Sequence, residues 1–267
     1  MPHLLVKSAK RVFDVFEMFD RERRPLSLKA ICDRFAIPPS SGTVLLKSFV
    51  TLGYLDYDRT TRTYFPTMRI ALLGQWIQGT LFGDGAILRL MTHLHSVTGE
   101  TVLLATQSDL HAQYIHAIHS EEPLQTAVTA GTLRPLASSG MGWLLLSGKS
   151  DADIEKLCRR IDAESGPGKR IDRALLKKDI ATARRDGYVF SKHSVVRGTG
   201  IIAMLLPETR LERTLAIGVG GQVARLEKKE ALILDAMRAG IAEYLGAAKA
   251  KTDAAAQKRR RRRGSHM

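Results

Sequence analysis

Cysteine is scarce in this chain: Cys32 and Cys158 are the only two, and they stand far apart. Neither a disulfide framework nor a cysteine-rich metal site follows from such a pair. Long apolar runs are missing as well. No stretch approaches the ~20 apolar residues of a membrane span. The first residues, MPHLLVKSAKRVF, lack the unbroken apolar block of a signal peptide. These absences predict a cytoplasmic protein with no membrane partner and no cofactor. The apolar share of 44% and charged share of 25% are those of an ordinary globular chain. A length of 267 residues leaves room for one large domain or two modest ones.

The net charge of +14 is unevenly spread. Six of these charges form one run, Lys258–Arg263, and a like-charged run at a chain end is expected to be solvated and disordered. The final GSHM has the look of an expression-vector remnant and carries no fold information. Residues 1–66 hold eleven Lys/Arg against seven Asp/Glu, a moderate excess of positive charge.

What is present begins with periodicity. SAKRVFDVFEMFD, Ser8 to Asp20, places Val12, Phe16 and Phe19 on one helical face, with Ser8 as N-cap. A second short helix runs from a Ser27 N-cap to Phe35. The Pro38–Pro39 pair ends that segment and permits a new first turn. The third helix, Ser40–Thr51, splits at helical pitch. Leu45, Leu46, Phe49 and Leu52 fall on one side, and Ser40, Ser41, Lys47, Ser48 and Thr51 on the other. Val44 lands among the polar residues. Gly53 closes the helix. Tyr54–Tyr57 and Arg62–Phe65 then read as two strands turning at Asp58–Thr61.

Three short helices followed by a hairpin match the winged helix-turn-helix of DNA-binding proteins. The bland alternative is a small helical subdomain whose third helix merely faces water. An apolar helix at Thr67–Thr80 follows. Its Ile70, Leu73 and Ile77 stripe suits a dimer contact as well as intramolecular packing.

Residues 85–250 read as mixed α/β. Helices are expected at Ala86–Val97, Gly140–Leu146, Asp151–Arg160, Arg173–Asp186 and from about Gln222 to Leu245. Strands are expected at Thr101–Thr106, Gln113–Ile118, Tyr188–Ser191, Gly200–Leu206 and Thr214–Val219. Such interleaving implies a sheet covered by helices on at least one face.

Familiar chemical motifs are approached and missed. GMGWLLLSGKS, Gly140–Ser150, lacks the spacing of a phosphate-binding loop, whose first glycine would have to stand at Trp143. GVGGQ, Gly218–Gln222, has no third glycine in dinucleotide-binding register and reads as a tight turn into the last helix. His93, His95, His111, His116 and His119 are poorly spaced for a shared metal. Ser138 and Ser139 do not sit in a G-x-S-x-G elbow.

Several motifs in order resemble the IclR family of bacterial transcriptional regulators. They are FVTLGYL, RTYFPTMRIALLG, TGETVLLA, GTLRPLASSGMG and DGYVFSKHSVVRGTGIIAMLLP, and the likeness spans about Val6 to Gly246. The resemblance implies an α+β protein. Its N-terminal winged helix-turn-helix domain (1–66) would be joined by a linker helix (67–84) to a GAF/PAS-like α/β effector-binding domain (85–250), with a basic tail at 251–267. It implies a homodimer or homotetramer that binds double-stranded operator DNA and a small organic effector, often a carboxylate or aromatic catabolite. DNA contacts are expected from Ser40, Ser41, Thr43, Val44, Lys47, Ser48, Arg59 and Arg62. Effector contacts are expected from Ser138, Ser139, Gly140, Met141, Ser191, His193, Ser194, Ile201, Ile217 and Val219.

Two departures stand out. Val44 occupies a position where family members usually carry arginine, so a phosphate contact is exchanged for an apolar group able to meet a thymine methyl. Ser191 and Ser194, beside His193 and Arg197, stand where the family often has acidic residues. This favours an anionic effector. The alternative function is a small-molecule-binding enzyme with an accessory helical domain.

Overall fold

The computed structural model describes residues 6–83, 85–121, 128–165, 170–207 and 213–246. The chain divides into two compact units at Thr80/Leu81. The expected tail at 251–267 and the side chain of Ile77 lie outside the described residues.

In the N-terminal unit, helix α1 spans Lys7–Glu22. It begins after Val6 with no side-chain cap, and Ser8 lies inside it rather than capping it. Its end is set by Arg23, whose left-handed backbone lets its N–H reach the carbonyl of Phe19. Helix α2, Leu28–Phe35, starts where expected: the Ser27 hydroxyl oxygen accepts from the Ala30 N–H at 3.2 Å. Helix α3, Pro39–Thr51, opens on a proline, which lacks the N–H that a first turn would leave unsatisfied. Gly42 lets it approach α2, because a Cβ there would collide with the Cys32 sulfur.

Strands β2 (Leu55–Asp58) and β3 (Thr63–Pro66) form the hairpin one residue later than the pattern suggests. A third strand, β1 (Leu26–Ser27), pairs with β3 through Leu26–Tyr64 and Ser27–Thr63. Two residues are too few to show a period of their own. Val15, Phe19, Leu26, Ile31, Leu46, Phe49 and Leu55 fill the core of this unit, with the Phe16 and Phe49 rings 5.0 Å apart. Leu52, expected on the buried side of α3, is instead 55% exposed, at the position where the helix ends.

Helix α4, Met68–Phe82, follows the hairpin. In the C-terminal unit, a six-stranded antiparallel sheet has the order β6-β5-β4-β9-β8-β7. The strands are β4 (Thr101–Ser108), β5 (His111–Ile118), β6 (Leu133–Pro135), β7 (Val189–Lys192), β8 (Thr199–Leu205) and β9 (Leu215–Gln222). Alternation sends Leu103, Ala105, Ile201, Ala203 and Ala216 to one face, under α6 (Gly140–Ser147), α7 (Asp151–Glu164) and α8 (Arg173–Asp186). Val102, Leu104, Ile202, Met204, Ile217 and Val219 go to the other, under α5 (Ala86–Thr98) and α10 (Glu230–Gly240). Helices therefore cover both faces.

Two expectations for this unit need correction. Gly218 to Gln222 is not a turn but the second half of β9, paired with β4 and β8. The glycines are there for close approach: a Cβ on Gly218 would stand 2.7 Å from Ile201 and Met141 side-chain atoms. The last long helix is broken. Helix α9 (Val223–Lys228) stops at Lys229 before α10 begins, and a π-helical turn covers Ile241–Leu245. At the break, the buried Glu100 carboxylate accepts from Arg225 at 2.8 Å and from Lys229 at 3.0 Å. The Lys229 ammonium also donates to the Thr98 carbonyl. Burial of an ion is tolerated here because both carboxylate oxygens are paired.

Candidate DNA-reading helix and ligand hollow

On α3 the buried residues Gly42, Leu46 and Phe49 fix the rotation of the helix, leaving Ser40, Ser41, Val44, Lys47, Ser48 and Thr51 exposed. Thr43 is half-buried. Its hydroxyl donates to the Pro39 carbonyl at 2.7 Å, and Ser48 likewise donates to the Val44 carbonyl at 2.8 Å. Beside this helix in sequence, the β2–β3 turn exposes Arg59 and Arg62, the latter in the left-handed backbone region with φ 55°. The turn is tied by Asp58, whose carboxylate accepts from the Thr60 and Thr61 N–H groups. The Thr61 hydroxyl foremost, and then these two N–H groups, hold the Asp58 carboxyl below its ordinary range.

In the C-terminal unit a hollow opens between the α6 face of the sheet and the loop after β7. Of the residues expected at an effector site, Ser139, Gly140, Met141, Ser191, Ser194 and Ile201 line it. Four do not. Ser138 is exposed, in the 3-10 turn before α6. Ile217 and Val219 point to the opposite side of the sheet, so Gly220 takes the lining position on β9. His193 faces a separate surface recess with Gln222, Val223 and Glu227. Its backbone is left-handed, and its ring Nδ1 accepts from the Gly198 N–H at 3.0 Å, closing the loop on itself. Arg197 also lies outside the lining.

The hollow contains what the sequence pattern missed: Tyr114 and Arg134. β5 and β6 pair through Ala112–Arg134 and Gln113–Leu133, which sets the two side chains on one face. Burial pushes the Tyr114 phenol's pKa up, and the neighbouring Arg134 guanidinium partly offsets the rise. No residue among the described lining is acidic. Leu103, Val128, Val195 and Val196 supply apolar wall. Ser139 is structural, donating to the Pro135 carbonyl and accepting from the Gly142 N–H as the cap of α6. Ser191 donates to Ser194 at 2.6 Å, which leaves the Ser194 hydroxyl hydrogen available to the hollow.

Among the described residues, no group of three or more His, Cys, Asp or Glu side chains is arranged to hold a metal. No helix among them is long and apolar enough to cross a membrane.

Residues 8–59 match the IclR helix-turn-helix domain and residues 86–243 the C-terminal domain of bacterial transcriptional regulator IclR. The chain belongs to the IclR family. Its relatives include the acetate operon repressor of Salmonella typhimurium, 24% identical over 247 residues, covering 87% of this chain and 86% of that protein. The effector domain of a transcriptional regulator IclR from Acinetobacter sp. ADP1 is 31% identical. That match covers 62% of this chain and 97% of the domain, with a TM-score of 0.56. An IclR homolog from Microbacterium hydrocarbonoxydans, complexed with 4-hydroxybenzoate, shares the fold at a TM-score of 0.69 and 21% identity, covering 90% of this chain and 100% of that one. This IclR-family member is a DNA-binding transcriptional regulator and not an enzyme.

Proposed function

We propose that α3 enters the major groove of operator DNA while Arg59 and Arg62 lie along adjacent phosphates. The support is the exposed stripe from Ser40 to Thr51, held outward by buried Gly42, Leu46 and Phe49. Lys47 and the two arginines supply the charge that phosphate binding needs. Two copies would present two such helices to paired half-sites. The exposed apolar side chains of α4, Met68, Leu72, Leu73 and Trp76, favour a homodimer or homotetramer. Cytoplasmic residence follows from a nucleic-acid partner.

The effector, on this proposal, is a small organic carboxylate held by Arg134, Tyr114 and Ser194, and the observation that carries it is the Arg134 cation in a partly apolar hollow whose described lining has no acidic residue. The hollow's volume is about 70 Å³. A cavity that takes up benzene is about twice as large, ~150 Å³. A short acid therefore fits the walls as they stand, whereas an aromatic acid such as 4-hydroxybenzoate requires the Val195–Val196 wall to move. Occupancy would favour one placement of the DNA-binding units over another, because a ligand shifts an equilibrium only through unequal affinity for its two states. A thermal-shift series of carboxylic acids beside their amides tests the proposal. Acids should stabilise the protein and amides should not; equal response to both would refute the carboxylate.

A further inference from the structure

We propose that Val44 reads a thymine methyl group in the major groove, so that an apolar contact sets sequence preference at the centre of α3. The inference rests on the docking of α3 proposed above and adds the chemistry of what that helix recognises.

Val44 is 67% exposed on a helix whose rotation is fixed. Leu46 is fully buried, Phe49 packs on Phe16, and Gly42 lies against Cys32, so no small roll of the helix can hide the isopropyl group. Ser40 lies one turn before it, and Lys47 and Ser48 one turn after, all exposed. Val44 is thus the midpoint of the exposed stripe of α3.

Its neighbours weaken the polar alternative. The hydroxyl hydrogens of Thr43 and Ser48 are committed to the helix's own carbonyls, at 2.7 and 2.8 Å. These two hydroxyls keep only acceptor capacity. Lys47 remains as a donor, suited to phosphate or a purine edge. A single exposed valine on a surface is unremarkable; one at the centre of a base-reading stripe, with the Thr43 and Ser48 hydroxyls bound to the helix's own carbonyls, is not.

In the major groove every base edge offers donors or acceptors, and thymine adds its methyl group. Against a donor or acceptor, the isopropyl group strips water and returns no hydrogen bond. Against a methyl, both surfaces leave water at a gain. Valine's single dominant rotamer in a helix means little side-chain entropy is lost on contact.

The test uses the full chain. Preferred duplexes are selected from a random-sequence pool, and each thymine is then replaced singly by deoxyuridine, which removes only the methyl. Wild type should lose about three- to five-fold in affinity at one position in each half-site, the worth of one buried methyl. Val44→Ala should bind the thymine duplex more weakly by a similar factor and ignore deoxyuridine at that position. Val44→Thr, of the same shape but with a hydroxyl in place of one methyl, should fall between them. Wild-type affinity unchanged by deoxyuridine at every position overturns the inference alone, as does equal sensitivity in Val44→Ala. A pool that yields no preferred duplex overturns the docking of α3 along with it.

Discussion

Arg134 reaches from β6 to the phenol of Tyr114 on β5, and both side chains face the same hollow. Without a ligand, the neutral phenol is the guanidinium's neighbour there. A carboxylate would hold it more strongly, since charge-assisted bonds are roughly twice as strong as neutral ones.

Arg134→Gln should therefore abolish stabilisation by carboxylic acids while leaving the amide series as weak as before. Binding at a hundredfold excess over Kd adds about 2.7 kcal/mol to the wild type, so the loss is readable as a melting shift. Tyr114→Phe should keep most of the response, because the cation remains. A full response in Arg134→Gln would place the anion elsewhere.

Filling the hollow is a second route. A Cβ on Gly140 would fall on Ser191, 3.0 Å from its hydroxyl oxygen, and 3.2 Å from Ile201. Gly140→Ala should cost about 1–3 kcal/mol of stability through overpacking and remove the response to acids. DNA binding, measured by fluorescence anisotropy, should persist.

Glu100 should be a stability residue with no role in either site. Glu100→Gln keeps the shape but leaves Arg225 and Lys229 facing a neutral amide. These two cations stay partly in water, which limits the damage to about 2 kcal/mol. Calorimetry should show the C-terminal unit melting roughly 4–8 °C lower, with DNA affinity at low temperature unchanged.

Asp58 gives a pH signature. Its folded-state pKa is depressed, so its contribution is complete above the unfolded value and is lost as pH falls through the folded one. Carboxyl carbon shifts followed by NMR should place its titration below the ordinary 3.8. Protection of the Thr60 and Thr61 amides should fade over the same acid range. Asp58→Asn should show no such acid transition in these amides.

The regular periods were legible in the sequence. Helical pitch put Val44 outside and Leu46 and Phe49 inside on α3, and the Ser27 cap was found from its residue type alone. What failed did so for identifiable reasons. In β9 the family resemblance points to the strand but not to its face: Ile217 and Val219 lie on the opposite side of the sheet, and Gly220 lines the hollow. Leu52 obeys the helical projection but lies where the helix has ended. Tyr114 and Arg134 are twenty positions apart by their numbers, and only the pairing of β5 with β6 brings them together. Glu100 resembles any surface glutamate until Arg225 and Lys229, more than a hundred positions later, enclose it.

Whether α3 and the wing hold DNA is tested most directly by the salt dependence of binding. On a selected duplex, log K should fall linearly with log salt concentration, with a slope of about −0.9 for each phosphate neutralised. Lys47→Ala, Arg59→Ala and Arg62→Ala should each weaken binding and make that slope shallower by up to about one. Wild-type affinity and an unchanged slope in the triple variant would contradict the proposed docking outright.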